Sequence, residues 1–198
     1  VFGNGDPIAN HVYVVRGCMS RFIAVFMCFT CSFLTLSWAG TPVVVESFPP
    51  SNPLYSQLAV TMVKVDKSAR RMYLMSGDTL VREYRIALGK QPKGHKRFEG
   101  DNRTPEGRYY LDYVLEESEF YRSVHISYPA PSDRKWAEKY DIDPGGNIKI
   151  HGLKNGERRS SGYVQSFDWT DGCIAITNQE MDEFIDLVRM GTPIIIEW

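Results

Sequence analysis

The sequence predicts a mainly β domain with a few short helices. Three observations carry that reading. From Met62 onward apolar residues recur at the period of two that a half-buried strand requires. Turn-forming Gly, Pro, Asn, Asp and Ser residues interrupt this pattern at short intervals. The clearest helical stripe lies close to the C-terminus.

Taken in order, the globular part is expected to start near Val60. Met62, Val63 and Val65, then Met72 and Leu74, then Leu80, Tyr84, Ile86 and Leu88 read as three antiparallel strands. Lys67-Ser68-Ala69 and Ser76-Gly77-Asp78 are the turns between them. A long polar loop follows, and Thr104-Pro105-Glu106-Gly107 opens a strand over 108–115. Residues 124–128 form a short strand that ends at Pro129. Residues 133–140 suit a brief helix capped by Ser132 or Asp133. Asp143-Pro144-Gly145-Gly146 is a turn leading into a strand over 147–151. Thr177-Asn178-Gln179-Glu180 reads as a capping box, with Thr177 or Asn178 as the N-cap. Met181, Phe184, Ile185 and Val188 then fall on one stripe, and Gly191 supplies the stop. Residues 193–198 close the chain as a strand.

The composition excludes little. The 198 residues have ordinary apolar and charged fractions and a formal charge of -1. No basic excess points to nucleic acid, and none is expected as a partner. The N-terminus says more. Arg21 precedes the apolar run Phe22 to Trp38, and Ser37-Trp38-Ala39 resembles a signal-peptidase site. We therefore expect an upstream, non-native extension over 1–18, a signal peptide over 19–39, a linker over 40–59 and one domain over 60–198. An uncleaved membrane anchor is the competing reading of the apolar run. Export to the periplasm or cell envelope follows, with the membrane met only during export. Loss of 1–39 removes Cys18, Cys28 and Cys31 and leaves Cys173 as the one cysteine. Structural cysteines usually pair in an oxidising compartment, so a lone thiol there suggests a use.

Two segments carry candidate chemistry. His151-Gly152 ends an apolar strand, and Thr170-Asp171-Gly172-Cys173-Ile174 sits between a turn and the capped helix. An imidazole near a thiol can take its proton, producing a thiolate–imidazolium pair that attacks a carbonyl. Gly172 would allow a close backbone approach and turn N–H groups toward an oxyanion. On residues alone, a structural histidine and a small buried cysteine account for the same letters equally well. Cys173, His151, His125 and His95 lack the close spacing of a zinc site, so no metal or other cofactor is expected.

The chain from about Val60 to Trp198 resembles the L,D-transpeptidase catalytic domain, also called the YkuD domain. The resemblance rests on His151-Gly152, on Thr170-Asp171-Gly172-Cys173-Ile174, and on upstream pieces such as Val65-Asp66-Lys67-Ser68, Thr104-Pro105-Glu106-Gly107 and Ile126-Ser127-Tyr128-Pro129. Asp171 and Ala175 depart from the commoner family pattern and are similar to a YafK-type subgroup. The resemblance implies a β-sandwich-like fold and peptidoglycan stem peptides as substrate. Cys173 would be the nucleophile and His151 the base, its ring oriented by a carbonyl near Gly152. Backbone N–H groups at Gly172 and Cys173 would hold the oxyanion. Thr170, Asp171, Trp169 and Tyr128 are candidate substrate contacts, and Lys96, Arg97 and Arg103 candidates for a substrate carboxylate. The expected reaction is L,D-transpeptidation through a thioester. L,D-carboxypeptidase or cross-link hydrolase activity, and a non-catalytic wall-binding domain, are the alternatives.

Overall fold

The computed structural model describes residues 58–198. The expected extension, signal segment and residues 40–57 of the linker lie outside the described residues.

Three strands open the domain: β1 (Met62–Asp66), β2 (Arg71–Ser76) and β3 (Thr79–Arg85), paired antiparallel as expected. The Asp66 carboxylate accepts from the Ser68 hydroxyl and the Ala69 N–H, which fixes the first turn. Then come β4 (Gly107–Ser118), β5 (Tyr121–Ile126), the helix α1 (Pro131–Lys139) and β6 (Lys149–His151). The short helix α2 (Ser161–Val164), β7 (Ile174–Ala175), α3 (Asn178–Leu187) and β8 (Pro193–Glu197) complete the chain. The sheet order is β3-β2-β1-β8-β4-β5-β6-β7, mixed in direction. The C-terminal strand β8 inserts between β1, which it parallels, and β4, which it opposes.

The long strand β4 pairs with β8 at its start and with β5 further along, and so joins two halves of the sheet. Register shifts within its pairing to β5 bend it. The two ends of the sheet then meet. Ala87, just beyond β3, exchanges both backbone hydrogen bonds with Ala175 of β7, at 2.9 and 2.8 Å. Thus the segment that follows Cys173 is held on both sides. Val63, Leu74, Leu111, Ile126, Ile150 and Ile174 fill the interior. The helix α3 packs on β5 and buries Met181 and Phe184. Full burial of one such side chain contributes about 1.5–3 kcal/mol.

Some boundaries differ from expectation. The helix α1 starts at Pro131, and its N-cap is Ala130, not Ser132 or Asp133. Proline presets the first helical φ, and Asp133 instead accepts from the Ala130 N–H at 2.9 Å. The strand β5 begins at Tyr121, because the turn at 119–120 is tight enough to continue the hairpin with β4. Only 149–151 of the expected 147–151 strand pairs. Gly191 does not stop α3, which ends at Leu187; its N–H donates to Leu111 and starts the turn into β8. Thr177 caps α3 with Glu180 as the reciprocal partner, as the motif predicts.

Candidate active site

The strands β6 and β7 run parallel, with Ile150 opposite Ile174 and His151 opposite Ala175. Side chains alternate along a strand, so Ile150 and Ile174 enter the core while Lys149, His151 and Cys173 share the other face. That face forms one wall of a cleft of about 320 Å³, lined by Cys173, His151, Lys149, Trp169, Thr170 and Asp171 among others. The fold thus brings the two sequence motifs together across adjacent strands.

The loop before Cys173 is fixed by its own residues. The buried Thr170 hydroxyl accepts the Gly172 N–H at 3.2 Å and donates to the Cys173 carbonyl at 2.7 Å. Gly172 has φ +134°, and a Cβ there would stand 2.7 Å from the Arg103 carbonyl oxygen. This is why the motif requires glycine. Its N–H is engaged by Thr170, so Gly172 serves the loop's shape. Upstream, the Asp168 carboxylate accepts from the Leu88 N–H at 3.0 Å and pairs with the Arg70 guanidinium at 2.7 Å.

His151 is 4% exposed. Its Nδ1 lies 2.7 Å from the Gly152 carbonyl oxygen. A carbonyl only accepts, so Nδ1 carries the proton and Nε2 of the neutral ring is the basic nitrogen. Phe120 and Trp169 pack on the ring, with centroids at 4.7 and 5.6 Å. Burial pushes the imidazole pKa down to about 4, and the Lys149 charge acts in the same direction. Gly152 is confined as well: a Cβ would meet Asn178 Oδ1 at 2.6 Å.

Burial pushes the Cys173 thiol above its ordinary 9.0. The Lys149 peptide N–H at the sulfur and the Lys149 ammonium oppose that rise, while Asp171 adds to it. Burial thus disfavours both charged forms, the Cys173 thiolate and the His151 imidazolium. Asp171 is directed to solvent, 2.7 Å from Lys90 Nζ.

Other sequence candidates lie elsewhere. Tyr128 is buried, with its hydroxyl on the Pro144 carbonyl and its ring edge-on to Tyr109, and it does not line the cleft. Lys96 is buried against Asp101, and Arg97 stacks over Trp136. Arg103 approaches the loop before Cys173 through its backbone carbonyl. His95 bridges the Glu106 N–H and Asp133, and His125 pairs with Asp112. Among the described residues no group of three or more His, Cys, Asp or Glu side chains is arranged to hold a metal.

Phe120 and Lys149 line the cleft without having been singled out from the sequence. The signal for Lys149 was present: alternation in Lys149-Ile150-His151 puts it on the histidine's face. Phe120 comes from a hairpin whose register the sequence leaves open.

A family model described as the L,D-transpeptidase catalytic domain, YkuD, matches residues 61–196. The chain belongs to this family. Among solved structures, it is similar to the helical cell shape determining protein Pgp2 from Campylobacter jejuni, at 26% identity and a TM-score of 0.53. That likeness covers 70% of this chain and 47% of Pgp2, so the chain spans about half the length of that relative. Bd1075 from Bdellovibrio bacteriovorus is matched at 22% identity and a TM-score of 0.49, over 71% of this chain and 48% of the other. A mutant L,D-transpeptidase from Enterococcus faecium is matched at 17% identity and 0.47, over 71% and 50%. No curated protein sequence matches the chain. Within the L,D-transpeptidase family fold, the cleft described above is the candidate active site.

Proposed function

We propose that this domain is a cysteine-dependent acyltransferase acting on peptidoglycan stem peptides. The observation that carries the reading is the His151 Nδ1–H bond to the Gly152 carbonyl, which leaves Nε2 basic on the cleft that Cys173 shares. In the first step Nε2 takes the thiol proton as Sγ attacks the carbonyl of the bond between an L-centre and a D-residue. The C–N bond then breaks, and the imidazolium returns the proton to the departing amine. A thioester to Cys173 remains. In the second step an acceptor amine attacks the thioester and loses a proton to Nε2, the C–S bond breaks, and the imidazolium returns the proton to the sulfur to restore the thiol. Membership of the family supports the substrate class. The apolar segment 22–38 supports a further proposal, that the chain works in the periplasm or cell envelope.

Purified protein incubated with muropeptides and read by mass spectrometry tests the reaction. New cross-linked dimers are expected. Trimmed peptides without dimers would assign the second step to water, and an unchanged mixture would overturn the proposal.

A further inference from the structure

Lys149 lies on the same cleft face as Cys173, on the neighbouring strand, and Lys154 lines the cleft after β6. Neither ammonium has an ion-pair partner among the described residues. The cleft's one carboxylate, Asp171, is already held by Lys90 on the outside. The remaining lining combines the aromatic rings of Phe120 and Trp169, 5.9 Å apart, with the uncharged polar residues Ser118, Asn147 and Thr170. His151 adds no charge at neutral pH. The cleft is thus a net cationic, partly apolar space, which suits a small organic anion with an apolar or planar portion.

Resting on the acyl-transfer reading above, we propose that Lys149, assisted by Lys154, determines specificity by binding a free carboxylate that adjoins the scissile peptide bond. Neighbouring strands are about 5 Å apart and a lysine stem is flexible. A carboxylate within one residue of the attacked carbonyl therefore falls within reach of the Lys149 ammonium. Two carboxylates of a donor peptide satisfy this chemistry: the C-terminus of the departing residue, and a side-chain carboxylate on the acyl residue. In either case the ion pair fixes the donor's register against the sulfur. Lys96, Arg97 and Arg103, the cations singled out from the sequence, do not line the cleft.

The test is equilibrium binding to the Cys173→Ala protein, so that no turnover occurs. Three synthetic donor peptides are compared: both carboxylates free, C-terminus amidated, and acyl side chain amidated. One amidation is expected to weaken binding about fivefold, and which one does so names the carboxylate. Lys149→Gln is expected to bring that ratio near one, and Lys149→Arg to retain it. Equal binding of all three peptides, no binding of any, or a preference that survives both Lys149→Gln and Lys154→Gln would overturn the proposal. Turnover by the Cys173-containing protein is measured separately. Selective binding without turnover would contradict the acyl-transfer reading while leaving the carboxylate site standing.

Discussion

The Nδ1 of His151 donates to the carbonyl of its own neighbour, Gly152, across 2.7 Å. One bond therefore sets the tautomer, the ring plane and the direction of the basic nitrogen. A short-range contact of this kind depends on the backbone at 151–152 alone. Several consequences can be measured.

The acid limb of activity is the first. With the His151 pKa near 4, the base stays unprotonated well below the ordinary 6.5. The pH profile of kcat/KM is expected to hold down to about pH 5 and to fall as pH approaches 4. An acid limb centred at 6.5 would show that the ring is solvated in the working enzyme.

Stability carries the same signature. His151 binds a proton more weakly in the folded chain than in the unfolded one. Below 6.5 the unfolded state gains protons first, so stability falls as pH drops from 6.5 to about 4 and this contribution then levels off. The full loss from this group is of order 3 kcal/mol. Denaturant unfolding of the parent and of His151→Gln across that window checks it. The variant should lose most of the slope.

The thiol should be slow to alkylate at neutral pH. Burial holds Cys173 above 9.0, so the thiolate fraction grows only in alkaline solution. Iodoacetamide rates are expected to rise steadily with pH through 9. A plateau already reached at pH 7 would indicate a preformed ion pair.

How much of this was legible in the sequence varies with the kind of interaction that decides each part. The strands β1 to β3 and the cap at Thr177 depend on local alternation and a four-residue motif, and both were readable. The start of α1 was missed because Pro131 at its first position outweighs side-chain capping. Cys173 and His151 were readable as types, since a glycine beside each marks a close backbone approach. The burial that disfavours charge on His151 was not readable. It comes from Phe120 and Trp169 closing over the ring, and Phe120 arrives through the register of the β4–β5 hairpin. Tyr128 looked like a wall of the site but is drawn into the core by Tyr109 and Pro144.

Loop rigidity gives a fourth expectation. Thr170→Val keeps the shape of the side chain but leaves the Gly172 N–H and the Cys173 carbonyl without their buried partner. A loss of about 1–3 kcal/mol in unfolding free energy is expected, with slower acylation at unchanged pH dependence. Gly172→Ala should be more severe, because its Cβ meets the Arg103 carbonyl and its φ is +134°. Thermal unfolding of both variants ranks them.

The central claim is that the acyl group passes through Cys173. Intact-mass measurement of the protein, quenched in acid during incubation with a stem tetrapeptide, tests it most directly. A mass increase equal to the peptide less its terminal D-residue, located on the tryptic fragment containing Cys173 and absent from Cys173→Ala, is the predicted result. Product formation by Cys173→Ala at the parent rate, or an adduct on another residue, would contradict it.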